Sequence, residues 1–267
     1  VLEVAALVTG IVLTRTITQA VSDLYSATQH VQGGDLSYRV RIPRQDQLGV
    51  LGDSFNSMTS SISTLIEEQR QRQRLENELA IAREVQAQLF PRSIPSVPGM
   101  QLEAICRAAR MVSGDYYDFI GVMPGRVVMV LSDISGKGIS AALLMASLQA
   151  ALRSQVQLDG RVFENTADLV SRLNRHLFLN TSDDRYATLF YCVYDDQSRM
   201  LHYTNAGHLP PLYVTRGSVR KLETGGAVLG VFADGSYEQA SIDLLPGDRL
   251  GLFTDGISEA ADSHGQE

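Results

Sequence analysis

Three aspartates stand where a carboxylate is costly to place. Asp133 follows the apolar run Val127 to Leu131 and precedes Ile134-Ser135-Gly136-Lys137-Gly138. Asp255 follows Leu250 to Phe253 and precedes Gly256. Asp115 lies in Val112-Ser113-Gly114-Asp115-Tyr116-Tyr117-Asp118. The apolar runs read as buried strands, and a charge at the end of one loses hydration unless it is paired or binds a cation. Hard oxygen donors of this type suit Mg²⁺ or Mn²⁺. Water completes the octahedron of such an ion and becomes a good nucleophile near neutral pH. Two ions close together form the usual arrangement for in-line attack on phosphorus. Taken singly, each aspartate reads equally well as a turn or cap residue, and Asp255-Gly256 alone is a common turn. Ser135-Gly136-Lys137-Gly138 does not match GxxxxGK[ST], which excludes a P-loop.

The elements that must position these residues begin after Gln101. Strands are predicted at Val127 to Leu131, Ala187 to Tyr194, Met200 to Tyr203 and Leu250 to Phe253, with helices near Ile139 to Leu152 and Asn165 to Leu179. Asp195 to Arg199 reads as a hairpin loop. Many strands with interspersed helices indicate an α+β fold, not a βαβ repeat. The chain has 267 residues, enough for two or more units, and 44% hydrophobic residues, enough for a real core. Its formal net charge of −7, without a long basic block, argues against nucleic-acid binding. Two cysteines, Cys106 and Cys192, lie far apart and read as reduced core thiols of a cytosolic compartment; no Cys/His spacing points to zinc.

The N-terminal part has a different periodicity. Residues 1–13 are apolar apart from Glu3 and Thr9, too short a run to span a membrane alone. They read as the cytoplasmic end of a transmembrane helix or as the start of a buried helix, and the first is expected, with Arg15 on the cytoplasmic flank. Ile17, Val21, Leu24, Thr28 and Val31 form one heptad seam; Leu48, Leu51, Phe55, Met58, Ile62 and Leu65 form another. Gly33-Gly34-Asp35 stops the first helix. Leu36 to Gln45 reads as an extended connector anchored by Leu36, Val40 and Ile42, with Pro43 blocking helix. Neither helix is long enough to stand alone, so a parallel homodimer, a four-helix bundle, is expected. Residues Glu67 to Arg74 are polar all round. Beyond them the row through Leu65 resumes in phase at Leu79, whereas the row through Ile62 is displaced by one residue to Leu75, Ala82 and Leu89. Such a slip strains a supercoil. The segment reads either as a passive solvated tether or as a linker that transmits rotation. Pro91, Pro95, Pro98 and Gly99 end it.

These residues carry two resemblances. Thr14 to Leu65 resembles a HAMP domain, the relay between transmembrane helices and cytoplasmic outputs, through Gly34-Asp35-Leu36, Asp46-Gln47-Leu48-Gly49 and Phe55-Asn56-x-Met58; Gln47 and Ala20 depart from the common Glu and Pro. From about Glu78 onward the chain resembles the SpoIIE-like, RsbU-like branch of the metal-dependent (PPM, protein phosphatase 2C-type) phosphatases. The carrying residues are Ala82-Arg83-Glu84-Val85-Gln86 with Leu89-Phe90-Pro91, Ser113 to Asp118, Ser132 to Gly138, Asn205-Ala206-Gly207-His208-Leu209-Pro210-Pro211, Leu229-Gly230, Pro246-Gly247-Asp248 and Thr254 to Ala260. The domain order expected is 1–13 membrane helix, 14–66 HAMP-like bundle, 67–90 coiled-coil linker and 91–267 phosphatase domain.

The second resemblance implies an α-β-β-α sandwich of two antiparallel sheets flanked by helices, with a two-ion Mn²⁺ or Mg²⁺ site at one edge. Asp133 matches the metal-bridging aspartate, Asp115 and Asp255 match further ligands, and the main-chain carbonyl of Ile134 matches another. The implied activity is hydrolysis of phosphoserine or phosphothreonine by a metal-bridging hydroxide. The implied substrate is a small regulatory protein, usually an anti-sigma-factor antagonist of the STAS type. The family carries one more ligand in an Asp-Asp pair near its C-terminus; Glu267 precedes that place, so the domain is expected to continue. His208 reads as a loop-structuring residue in preference to a general acid. Arg107 and Arg110 could hold substrate phosphate or form surface ion pairs, and Lys137 sits near the site by its motif. A HAMP-bearing chain of this kind is expected at the cell inner membrane, with this portion in the cytoplasm. The alternative is a non-catalytic pseudo-phosphatase that binds a partner protein. A histidine-kinase output is excluded, because no His-Glu pair lies on the linker helix and no nucleotide-binding Asn/Gly motif comes after it.

Overall fold

The computed structural model describes residues 2–41, 46–107, 112–136, 138–158, 165–182 and 184–258. They fall into two compact units, residues 1–77 and 78–267.

The first unit contains helix α1 (Leu2–Gln32) and most of α2 (Gln47–Ala87). At 31 residues and a mean hydropathy of 1.5 in its most apolar window, α1 is long and apolar enough to cross a membrane. It ends at Gly34, whose φ of 87° is the left-handed conformation that glycine adopts without strain, with Asp35 N–H returning to the His30 carbonyl at 2.9 Å. The connector is non-helical as far as it is described. Its buried anchor Val40 is held by a side chain: Asn56 Oδ1 accepts from Val40 N–H (2.9 Å), and Asn56 Nδ2 donates to the Val40 carbonyl (2.8 Å). The expected anchor Ile42 and the helix-blocking Pro43 lie outside the described residues. Small residues are buried here (Ala20, Ala27, Gly49, Gly52, Thr59), whereas the seam residues Ile17, Val21, Leu51, Met58 and Leu65 remain 43–62% exposed in the single chain. The polar run Glu67 to Arg74 does not interrupt α2, which is one helix of 41 residues.

The second unit is layered. Strands β1 (Tyr116–Met123), β2 (Arg126–Ile134), β3 (Ala187–Asp195), β4 (Met200–Ala206) and β7 (Gly225–Gly226) lie side by side in that order in the large sheet, and β8 (Ala240–Asp243) pairs with β4. The pairs β1–β2, β2–β3, β3–β4 and β4–β8 are antiparallel; β7 adds a short parallel bridge to β4. A small sheet has the order β6 (Ser218–Lys221), β5 (Leu212–Thr215), β9 (Arg249–Gly251). Alternation along β3 assigns the faces. Ala187, Leu189, Tyr191 and Val193 join a core with Met145, Leu148 and Leu152 of α3 (Ile139–Leu158) and Leu169, Leu173 and Leu177 of α4 (Thr166–Asn180). Phe190, Cys192 and Tyr194 join a second core with Tyr213 of β5 and Leu250 of β9. Helices thus cover one face of the large sheet and the small sheet covers the other.

The expected strands and helices are present, with two corrections that matter for the site. Strand β2 continues to Ile134, so Asp133 lies within the strand, paired across the ladder with Thr188. Strand β9 ends at Gly251, so Asp255 is not at a strand end; it opens the one-turn helix α5 (Asp255–Ser258). The reading of both cysteines as core thiols also fails for one of them: Cys192 is buried, but Cys106 is exposed, on a segment that belongs to no strand.

Candidate active site

The site is built at one end of the large sheet. Asp133 and its ladder partner Thr188 point to the side of the small sheet, as the alternation of β2 and β3 requires. Asp115 arrives from a different direction, on the segment before β1. That approach needs Gly114: a Cβ there would stand 2.8 Å from the Ile134 carbonyl oxygen and 3.5 Å from Asp133 Oδ1. The closeness sets the Asp115 and Asp133 carboxyls beside each other, near enough for each to shift the other's titration. Thr254 Oγ1 donates to Asp115 Oδ2 at 3.0 Å, tying in the chain just before Asp255.

A cleft of about 330 Å³ opens beside these groups. It is lined by Asp133, Ser135, Tyr186, Thr188, His208 and Asp255, among others. The Asn205-to-His208 turn forms one wall. Asn205 accepts from His208 N–H (2.8 Å) and donates to the His208 carbonyl (3.0 Å), while Gly207, at φ 65°, lies against Val228 where a Cβ would find no room. His208 Nδ1 shares a hydrogen bond with Thr188 Oγ1 at 2.8 Å, and among the described residues none meets the buried Nε2 in hydrogen-bonding geometry. Burial pushes its pKa down to about 4, against the Phe253 carbonyl and the Asp255 charge, so the imidazole is neutral at pH 7.

The carboxylates shape the electrostatics. Burial first, and then the charges of Asp115 and Asp255, raise the pKa of Asp133 to about 6. Burial also raises that of Asp115, with the Asp255 charge adding to it. Like charges held together in a partly dry cleft disfavour their own ionisation, which is the situation a divalent cation relieves. The donor chemistry therefore fits a hard cation: two neighbouring carboxylates, the Ile134 carbonyl against the same glycine, and a third carboxylate on the cleft wall. Among the described residues no three carboxylate, imidazole or thiol groups close around one point, so the set is open on the side of Asp255.

The raised pKa has a measurable effect on the protein without metal. Folded, Asp133 keeps its proton up to about pH 6. In the unfolded chain it loses it near pH 4. Between those values the folded state binds more protons, so this carboxyl makes stability fall as pH rises. Thermal melts from pH 4 to 7 should show wild type losing midpoint relative to Asp133→Asn, and saturating Mn²⁺ should remove the difference in slope. Parallel curves for the two metal-free proteins would contradict the raised pKa.

Of the residues singled out in the sequence, Asp115, Asp133 and the Ile134 carbonyl come together, and Asp255 and His208 line the same cleft. Arg107 is exposed, and Arg110 and Lys137 lie outside the described residues. Thr188 and Thr254 carry contacts that the linear reading missed. So does Arg185, whose guanidinium covers Gly136 and donates to the Ser135 carbonyl at 3.2 Å. Arg153 of α3 is another: it forms a two-point ion pair with the fully buried Asp118, 2.7 and 2.9 Å long, which also accepts from Tyr116 Oη at 2.7 Å. This anchors the start of β1, immediately after Asp115.

A two-sheet sandwich with helices over one face and acidic groups converging at its edge is the architecture of a PP2C-type phosphatase domain. The SiaA-PP2C domain of Pseudomonas aeruginosa has this fold: TM-score 0.59, 19% identity, over 73% of this chain and 78% of that one. The model of the Stage II sporulation protein E (SpoIIE) family matches residues 123–267, and the HAMP domain model matches residues 12–64. Protein IcfG of Synechocystis is 30% identical over 270 residues, 91% of this chain and 43% of that protein. Phosphoserine phosphatase RsbU of Bacillus subtilis is 31% identical over 195 residues, 72% of this chain and 57% of that protein. The chain belongs to the SpoIIE family of PP2C-type protein phosphatases and carries a HAMP domain ahead of the phosphatase domain. It spans about half the length of these curated relatives.

Proposed function

We propose that the protein is a receptor-controlled phosphoprotein phosphatase. It hydrolyses phosphoserine or phosphothreonine on a small regulatory protein of the STAS type in sigma-factor control. The observation that carries this reading is the close approach of the Gly114-Asp115 segment to Asp133 and the Ile134 carbonyl, beside a cleft that Asp133 and Asp255 line. Asp115, Asp133, Asp255 and the Ile134 carbonyl would hold two divalent ions, Mn²⁺ or Mg²⁺. Bound there, such ions supply Lewis-acid activation of water and of the phosphoryl group. The chain's own groups do the rest. His208, neutral at pH 7, lines the cleft and holds its wall through the Nδ1–Thr188 hydrogen bond. Thr188 holds that ring, and Thr254 fixes the rotamer of Asp115. Arg185, bonded to the carbonyl of the cleft residue Ser135, could offer its guanidinium to a substrate phosphate. Incubating the full-length protein with a serine-phosphorylated STAS-type protein tests the reading: phosphate release should require Mn²⁺ or Mg²⁺ and stop on chelation. Stable binding of that partner without release would favour a pseudo-phosphatase.

Residues 1–13 are read as the cytoplasmic end of a membrane helix, 14–66 as the HAMP unit, 67–90 as the linker and 91–267 as the phosphatase domain, with the whole at the inner membrane and this portion in the cytoplasm. The exposed seam residues support a parallel homodimer. Each large apolar side chain taken out of water contributes roughly 1.5–3 kcal/mol before the entropic cost of association. Light scattering on the protein from Thr14 onward should report twice the monomer mass at about 10 µM, with dissociation on dilution. A monomer at that concentration would contradict the dimer.

A further inference from the structure

The segment that delivers Asp115 has no strand partner, because β1 begins only at Tyr116. Its backbone is paired by a side chain instead. Gln86, in the last turn of α2, donates from Nε2 to the Ser113 carbonyl at 2.7 Å, and the Ser113 N–H donates to Gln86 Oε1 at 2.9 Å. The two bonds close a ring like that between residues of an antiparallel ladder. Gln86 is 5% exposed, and its Nε2 also rests 3.2 Å from Met145 Sδ of α3. Ser113 passes the hold onward: its Oγ accepts from the Asp115 N–H at 3.0 Å. Downstream, the Asp118–Arg153 pair pins the same stretch. Asp115 is thus slung between two buried polar contacts, one from each of two helices.

We infer that Gln86 is a positioning residue for Asp115: through the Ser113 backbone, the last turn of α2 sets where that carboxylate stands. This role rests on the reading of the cleft as a metal site. A space-filling role would be served as well by an apolar side chain of the same length, since a buried amide keeps its place only by making its hydrogen bonds. Gln86 commits both halves of its amide to the backbone of one residue, two positions before Asp115.

Gln86→Met in the full-length protein separates the two roles, with Leu148→Val, which thins the same core without touching the pair, as the comparison. Two quantities are read below the melting temperature of all three proteins: Mn²⁺ affinity by electron paramagnetic resonance, and hydrogen exchange of the peptide covering residues 112–116. Loss of a residue that orients a metal ligand typically weakens metal binding by about 10–100-fold. Gln86→Met is expected to weaken Mn²⁺ binding by at least about tenfold and to speed exchange across that peptide, while Leu148→Val changes neither beyond about twofold. Gln86→Met with near-wild-type affinity and unchanged exchange beyond Ser113 itself would overturn the inference. Should wild type bind no Mn²⁺ at all, the metal-site reading fails, and the exchange result still decides whether Gln86 orders the Asp115 segment.

Discussion

Asp133→Asn should reduce phosphatase activity by about 10³-fold or more while leaving the fold intact, since losing several kcal/mol of transition-state stabilisation costs a factor of that order. The loss is expected because Asp133 lies beside Asp115, feels the charge of Asp255 and lines the cleft. The fold survives because the backbone of Asp133, not its side chain, holds the ladder to Thr188. Asparagine has the same shape and can still donate to Asp115. It also removes one of three mutually repelling charges, so the metal-free variant should melt no lower than wild type at pH 7. Activity and stability are then expected to move in opposite directions. Melts, Mn²⁺-induced stabilisation and turnover on one preparation check this. Retention of more than about one hundredth of wild-type turnover at saturating Mn²⁺ would count against the two-ion assignment.

Insertion of three or four residues within Glu67 to Arg74 should change activity several-fold, in either direction, whereas insertion of seven should leave it near wild type. Helix α2 runs unbroken from Gln47 to Ala87, through that polar run. Seven residues restore heptad phase, whereas three or four rotate the C-terminal part of the helix by roughly 50° relative to its N-terminal part. The two apolar rows cannot both be served by one regular supercoil, as the displacement from Ile62 to Leu75 requires. A segment with two near-equal arrangements needs a bias of only a few kcal/mol to change state. Its last turn carries Gln86, bonded to the segment before Asp115. Equal activity for the in-phase and out-of-phase insertions, assayed on the same phosphoprotein, would show α2 to be a passive tether.

The elements that carry the cores were legible because the strands are nearly unbroken apolar runs and the helices recur with one period. Val127 to Leu131 and Ala187 to Tyr194 announce β2 and β3, and the amphipathic stretches announce α3 and α4. Strand β1 was not legible: Asp118 and Gly121 break the apolar run from Tyr116 to Met123, although Tyr116 and Ile120 serve one core and Phe119 packs on the other. The short strands β5 to β8 offer too few residues to show a period. Asp115, Asp133 and Asp255 were found by their placement beside glycines and apolar runs. The residues that orient them were not, since Thr188 becomes a neighbour only through the β2–β3 register and Thr254 only through tertiary approach. Arg153 is a charge on an otherwise apolar helix, and its partner Asp118 was visible in the motif, but nothing linear joins positions 35 residues apart.

Gln86 is not the only amide that clasps a backbone. Asn56 grips Val40, Asn205 grips His208, and Asn174 of α4 accepts from the Gly230 N–H (2.9 Å) and donates to the Phe232 carbonyl (2.8 Å). Each reads atoms that every residue but proline possesses. Where the gripped side chain has no other task the position is free to drift: a new side chain at Val40 or Phe232 leaves the grip unchanged, so far as its own packing permits, whereas Ser113, His208 and Gly230 are held by Oγ, by the ring and by a positive φ. The gripping positions have no such latitude, because only a carboxamide offers a donor and an acceptor side by side at that reach. Mutational tolerance at the Asn56–Val40 and Asn174–Phe232 contacts should be one-sided, silent at one end and costly at the other. Paired substitutions, the usual trace of two residues in contact, would not reveal them.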